Sequence, residues 1–119
     1  MLAKAQKKYL RISPRKLYLV VNAVKKLSPH EALTKLKFIN KKGARILAKV
    51  LKQALDNAKS LKLNGENLKF KELIVEGGPR YKRRDRFHGA RFDSGIIQKR
   101  TAHLRVVLEE KGGKRGSKD

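Results

Sequence analysis

Between two segments that read as β-strands, residues 80–100 hold eight Lys or Arg against only Asp85 and Asp93, with few side chains suited to a core. A stretch so placed predicts a long hairpin lying against something negatively charged. Six of the eleven arginines fall here: Arg80, Arg83, Arg84, Arg86, Arg91 and Arg100, whereas lysine dominates elsewhere. Guanidinium offers a planar fork to phosphate and a face for stacking, while ammonium is a hydrated point charge. The bias suits an RNA-binding arm better than a merely solvated surface.

With about ten residues per side at roughly 3.3 Å each, such an arm projects on the order of 30 Å. A two-stranded ribbon is marginal in water by itself. Tyr81, Phe87, Phe92, Ile96 and Ile97 are its only sizeable apolar groups, and they lack a period of two. Two readings stand. The arm is ordered by a partner, with arginines on phosphates and aromatics on bases, or it is a disordered basic loop. The concentration of arginine and aromatics favours the first.

A chain of 119 residues makes one small domain with a modest core. Its formal net charge is +22, from 32 basic and 10 acidic residues. Such a chain repels itself unless polyanions screen it. Nucleic acid is the expected partner, and an anionic membrane surface the alternative. The absence of cysteine excludes disulfides and thiolate metal sites and fits a reducing compartment. Met1 to Lys8 holds no signal-like apolar run. No segment nears the roughly 18 apolar residues of a membrane span, so a soluble, intracellular protein is expected.

Along the chain, Lys8 to Ile12 predicts a short edge strand. Ser13-Pro14 opens a helix, Ser as cap and Pro at the first position. Leu17, Val20, Val21, Val24 and Leu27 form its apolar stripe. Ser28-Pro29-His30-Glu31 repeats the device as a capping box for a second helix that fades near Phe38. A basic turn, Asn40 to Gly43, precedes a third helix running to about Leu61, with Ala44, Leu47, Ala48, Leu51, Leu55 and Ala58 on one face. Leu63-Asn64-Gly65 signals a turn. A strand over Phe70 to Val75 meets a bend or bulge at Gly77-Gly78-Pro79. The alternation of Ala102, Leu104, Val106 and Leu108 with Thr101, His103, Arg105 and Val107 predicts a half-buried closing strand. Residues 1–110 thus read as a single domain and 111–119 as a disordered basic tail.

The candidate RNA contacts fall into two groups. Lys4, Lys7, Lys8, Arg11, Arg15 and Lys16 form an amino-terminal cluster that no acid dilutes, since the first acid is Glu31. Arg80, Lys82, Arg83, Arg84, Arg86, His88, Arg91, Lys99 and Arg100 belong to the arm. The third helix also presents Arg45, Lys49, Lys52 and Lys59; such a face serves phosphate contact and plain solvation equally well. His30, His88 and His103 have no metal-ligand spacing and no carboxylate cluster beside them. Asp85 and Asp93 lie among arginines, and pairing across the hairpin is their simpler role. There is no nucleophile motif, P-loop or dinucleotide fingerprint, so neither an enzyme, a cofactor nor a small-molecule substrate is expected.

Taken in order, Ser13-Pro14-Arg15-Lys16, Ala32-Leu33, Lys41-Lys42-Gly43-Ala44, Val50-Leu51-Lys52-Gln53-Ala54, Asn57-Ala58, Gly78-Pro79, Lys82-Arg83 and Lys99-Arg100-Thr101-Ala102-His103 resemble a ribosomal family. It is the twenty-second large-subunit protein of the bacterial-type series, and the likeness covers roughly Lys8 to Glu109. It implies an α+β fold of three helices packed on a three-stranded antiparallel sheet with a long protruding β-hairpin. It further implies a cytoplasmic ribosomal protein that binds large-subunit (23S-type) rRNA, helps assembly and meets neighbouring ribosomal proteins. In that family the hairpin tip lines the nascent-peptide exit tunnel, near where macrolides bind. Carried onto this chain, the tip is Phe87, His88, Gly89, Ala90, Arg91 and Phe92. Here Asp85, Phe87, Phe92, Asp93 and Gly95 replace the denser Arg-Gly run common at that place. A free-standing protein that compacts nucleic acid is the competing expectation.

Replacing Arg83, Arg84 and Arg86 with alanine is predicted to leave helical circular dichroism unchanged while weakening incorporation into large subunits. A loss of helical signal would mean that these arginines belong to the folded body.

Overall fold

The computed structural model describes residues 1–87, 89 and 93–112. The order is β1 (Leu2–Leu10), α1 (Pro14–Val24), α2 (Pro29–Phe38), α3 (Lys42–Ser60), a 3₁₀ turn (Gly65–Asn67), β2 (Leu68–Gly77), β3 (Tyr81–Arg84), β4 (Ile96–Lys99) and β5 (Ala102–Glu110). This is an α+β fold. The main sheet is antiparallel in the order β1-β5-β2, and β3 and β4 make a separate two-stranded ribbon.

Local chemistry starts the first two helices. Ser13 is extended at the N-cap of α1, and its Oγ accepts from the Lys16 amide at 3.4 Å. At α2 the Ser28 Oγ accepts from the Glu31 amide at 3.4 Å, and Glu31 Oε2 accepts from the Ser28 amide at 3.2 Å. Two of the amides left free by helix geometry are thereby satisfied at that end. Helix α3 starts without a side-chain cap. Its stability comes from packing: Ala44, Leu47, Val50, Leu51, Ala54, Leu55 and Ala58 are buried along one face.

The core lies between the helices and one sheet face. Ala102, Leu104, Val106 and Leu108 of β5 are fully buried. Period two turns them inward together, and Leu17, Val21, Val24, Leu47 and Leu51 join the same cluster. The other face carries His103, Arg105 and Glu109.

Two expectations need correction. The first strand begins at Leu2, not Lys8, and Ile12 lies outside it, buried. Ala3 and Ala5 have little strand preference of their own. They point into the core, where α3 packs on β1 and small side chains allow close approach. Second, the arm is not two ten-residue strands, because the regular ladder pairs only Tyr81–Arg84 with Ile96–Lys99. Beyond it, one backbone bond runs from Asp85 N to Gly95 O at 2.8 Å, and Asp85 Oδ1 then accepts from the Phe87 amide at 3.0 Å, a local turn that takes the chain out of register. The ribbon does project: all four residues of β3 are exposed, and its neighbours are those of β4. The expected tip residues His88, Ala90, Arg91 and Phe92, and residues 113–119 of the expected tail, lie outside the described residues.

Where β2 turns into the arm, Gly78 N donates to Thr101 O at 2.9 Å, and Thr101 Oγ1 donates to Pro79 O at 2.7 Å. A Cβ on Gly78 would sit 2.3 Å from Thr101 Oγ1. Gly78→Ala is therefore expected to destabilise the fold by about 1–3 kcal/mol. Gly77→Ala, whose added carbon meets nothing nearer than Pro14 Cγ at 3.9 Å, should stay within about 0.5 kcal/mol of the parent. Paired urea denaturation curves measure both.

Candidate nucleic-acid interface

The two basic groups meet at the root of the arm. Pairing of Leu10 with Ala102 in the β1–β5 register brings the β1–α1 link beside the end of β4. Arg11, Lys16, Lys42, Lys99 and Arg100, with Ile12, Ser13 and Gln98, line a cleft of about 500 Å³. All five cations are exposed, and no acid is among the lining residues. Lys42 Nζ donates to the Arg11 carbonyl at 2.7 Å, tying the start of α3 to this link.

The remaining candidates are placed as follows. Lys82, Arg83 and Arg84 line a smaller depression on the ribbon with Ser94, Gly95 and Ile96. Arg84 Nε donates to Ser94 Oγ at 2.7 Å, and Arg80 Nη1 to Gln98 Oε1 at 3.4 Å, so both guanidinium groups are aimed along the ribbon. In the ladder Arg83 opposes Ile97 and Arg84 opposes Ile96. Because successive residues of a strand point to opposite faces, both faces of the ribbon carry a cation beside an aliphatic group. Arg86 and Phe87 are exposed just past it, Phe87 at 93 %. Lys4, Lys7 and Lys8 are exposed on β1, a sheet edge, and stand apart from the cleft. Arg15 is exposed on the first turn of α1 but does not line the cleft. On α3, Arg45, Lys49, Lys52 and Lys59 are exposed, and Lys59 lies 4.0 Å from Asp56.

Acids gather elsewhere. On the open sheet face Arg105 stands between Glu72 at 3.9 Å and Glu76 at 3.1 Å, and Glu109 between Lys69 at 3.0 Å and Lys71 at 3.9 Å. That face is locally balanced, and the cleft is not. His103, next to it, accepts from the Tyr9 amide at 3.0 Å and packs edge-on against the Tyr9 ring. Among the described residues, no group of His, Asp or Glu is placed to hold a metal. Nor is any helix long and apolar enough to cross a membrane.

Lys42 and Gln98 are absent from the sequence-based candidates. Lys42 does carry a signal. A cation in the first turn opposes the helix dipole, so its place there marks a job other than stabilising α3. Gln98 carries none, since only the fold brings it to the cleft, opposite Lys82 in the ladder.

A small α+β domain with an acid-free basic cleft beneath an exposed cationic ribbon has the charge layout of a protein that faces a polyanion. The chain belongs to the ribosomal protein L22p/L17e family, whose profile matches residues 5–109. It is a structural, non-enzymatic ribosomal protein. Similar proteins, each called large ribosomal subunit protein uL22, include that of Desulfotalea psychrophila, 46% identical over 110 residues (91% of this chain, 97% of the relative). Those of Thermus thermophilus (44% over 113 residues; 94% and 98%) and Caldicellulosiruptor saccharolyticus (42% over 111; 92% and 88%) are comparable.

If the cleft contacts phosphate, Lys16→Ala and Arg100→Ala should each lower the slope of log affinity against log salt by about 1. Lys69→Ala, whose partner is Glu109, should leave it unchanged. Filter binding to large-subunit RNA fragments over a salt series measures this.

Proposed function

We propose that this protein is a structural constituent of the large ribosomal subunit in the cytoplasm, binding 23S-type rRNA through the basic cleft and the arm. Residues 1–110 act as one RNA-binding unit, with 111–119 as a basic tail. The observation that carries the reading is the convergence of Arg11 and Lys16 with Lys99 and Arg100 on an acid-free cleft. Five cations on one small surface repel one another. Phosphates lying among them relieve that repulsion and release counterions.

The arm extends the reading. A ribbon with cation and aliphatic on both faces suits RNA on both sides, not a single flat surface. Its backbone is regular for only four residues per strand, so surrounding RNA supplies the rest of its order, and its folding is coupled to assembly. The tip beyond Arg86 is then the part that meets the nascent peptide in the exit tunnel. Neighbouring ribosomal proteins share the subunit surface.

The tagged protein is expected to co-sediment with large subunits at physiological salt and to prefer large-subunit RNA fragments over random duplex DNA by at least tenfold. Equal affinity for both, with no co-sedimentation, would replace this reading with a general nucleic-acid-compacting protein.

A further inference from the structure

A second depression, of about 480 Å³, lies on the outer side of α1. Leu19, Val20 and Ala23 form one wall, and Ile39 at the end of α2 contributes to the other. Leu19 is 68 % exposed, a large apolar side chain that the fold leaves uncovered. Lys16, Lys41 and Lys42 bound the groove, and again no acid lines it. Ile12, Lys16 and Lys42 also line the cleft under the arm, so the two depressions form one continuous surface.

We propose that this groove holds the unstacked base of a single RNA nucleotide, with the flanking phosphates on Lys16 and Lys42. The assignment rests on the RNA-binding reading above and gives it a specific subsite. Charge selects the occupant first, because an apolar floor rimmed only by cations suits an anionic strand carrying a flat apolar group. Size selects next. About 480 Å³ falls within the roughly 300–1,000 Å³ of small-ligand pockets, whereas an amphipathic helix needs a long groove for anchors spaced over several turns. Continuity completes the case. A strand whose phosphates follow the cleft reaches the groove directly, because the same two lysines serve both. Leu19 and Ile39 cover the faces of the base, the small Ala23 leaves room for the ring, and the polar edge of the base points to the lysine rim. Splayed, unpaired bases are what sequence-specific RNA recognition targets.

The chain has no cysteine, so Lys41→Cys places a single thiol at the rim for a photoreactive label. Lys41 makes no side-chain cap bond, so the change spares α3. In reconstituted large subunits the expected adduct is with rRNA, and an adduct with a protein neighbour overturns the base assignment. In solution the full chain is titrated with an oligouridylate and with an abasic oligomer of equal length and charge. Ala23→Trp fills the groove and keeps every cation. It should weaken oligouridylate binding roughly five-fold, the low end for loss of one base contact, and leave the abasic oligomer unaffected. Leu19→Ala, at an exposed position, should shift binding in the same direction by less, and it covers the case in which tryptophan disturbs the fold. Equal losses with both oligomers, or none with either, remove the groove assignment alone. Failure of the parent protein to bind either oligomer at physiological salt removes the RNA reading itself.

Discussion

Strand β5 is the member on which the rest depends. It is hydrogen-bonded on both sides, to β1 from Leu2↔Glu109 to Leu10↔Ala102 and to β2 from Leu68↔Glu110 to Gly77↔Ala102. Its inward row, Ala102, Leu104, Val106 and Leu108, is the floor on which the helices rest. Yet it is the last element of the described chain and follows the arm. The sheet therefore closes only when the chain returns from the ribbon in register. Gly78 and Thr101 fix that return, and the bonds that complete the core also set the direction in which the arm leaves it.

This coupling gives the arm a firm root. At the root, Thr101 is buried and bonded to the Pro79 carbonyl. A few residues further out, the regular ladder stops at Arg84 and Ile96. Backbone hydrogen bonds exposed to water add little net stability.

Charge is arranged with the same economy. The ten acids cannot neutralise 32 bases, and several are spent on one flank, where Glu72, Glu76 and Glu109 pair with Arg105, Lys69 and Lys71. These pairs are partly exposed and contribute modestly to stability. Their larger effect is to keep carboxylates away from the cleft, whose cations have no acidic partner among the described residues. The molecule thus has one self-balanced face and one acid-free basic cleft, joined to an apolar groove by Lys16 and Lys42.

Much of this was legible along the chain where the interactions are local. A helix cap involves residues three apart, so Ser13-Pro14 and Ser28-Pro29 with Glu31 mark the helix starts to the residue. Alternation over Ala102 to Leu108 marks β5, because period two is a property of the strand alone. The basic character of both clusters needs no structure either. What the chain could not disclose are features set by partners distant in sequence. Ala3 and Ala5 are strand only because α3 and β5 accept small side chains there. The regular ribbon is short because, past the single Asp85–Gly95 backbone bond, the Asp85 side chain takes the Phe87 amide into a local turn. Arg11 and Arg100 share a cleft because Leu10 registers with Ala102, and Lys42 joins them by reaching the Arg11 carbonyl. Composition fixed the excess of positive charge; only the closing of the sheet decided its layout, since burial of β5 chooses which cations end up side by side.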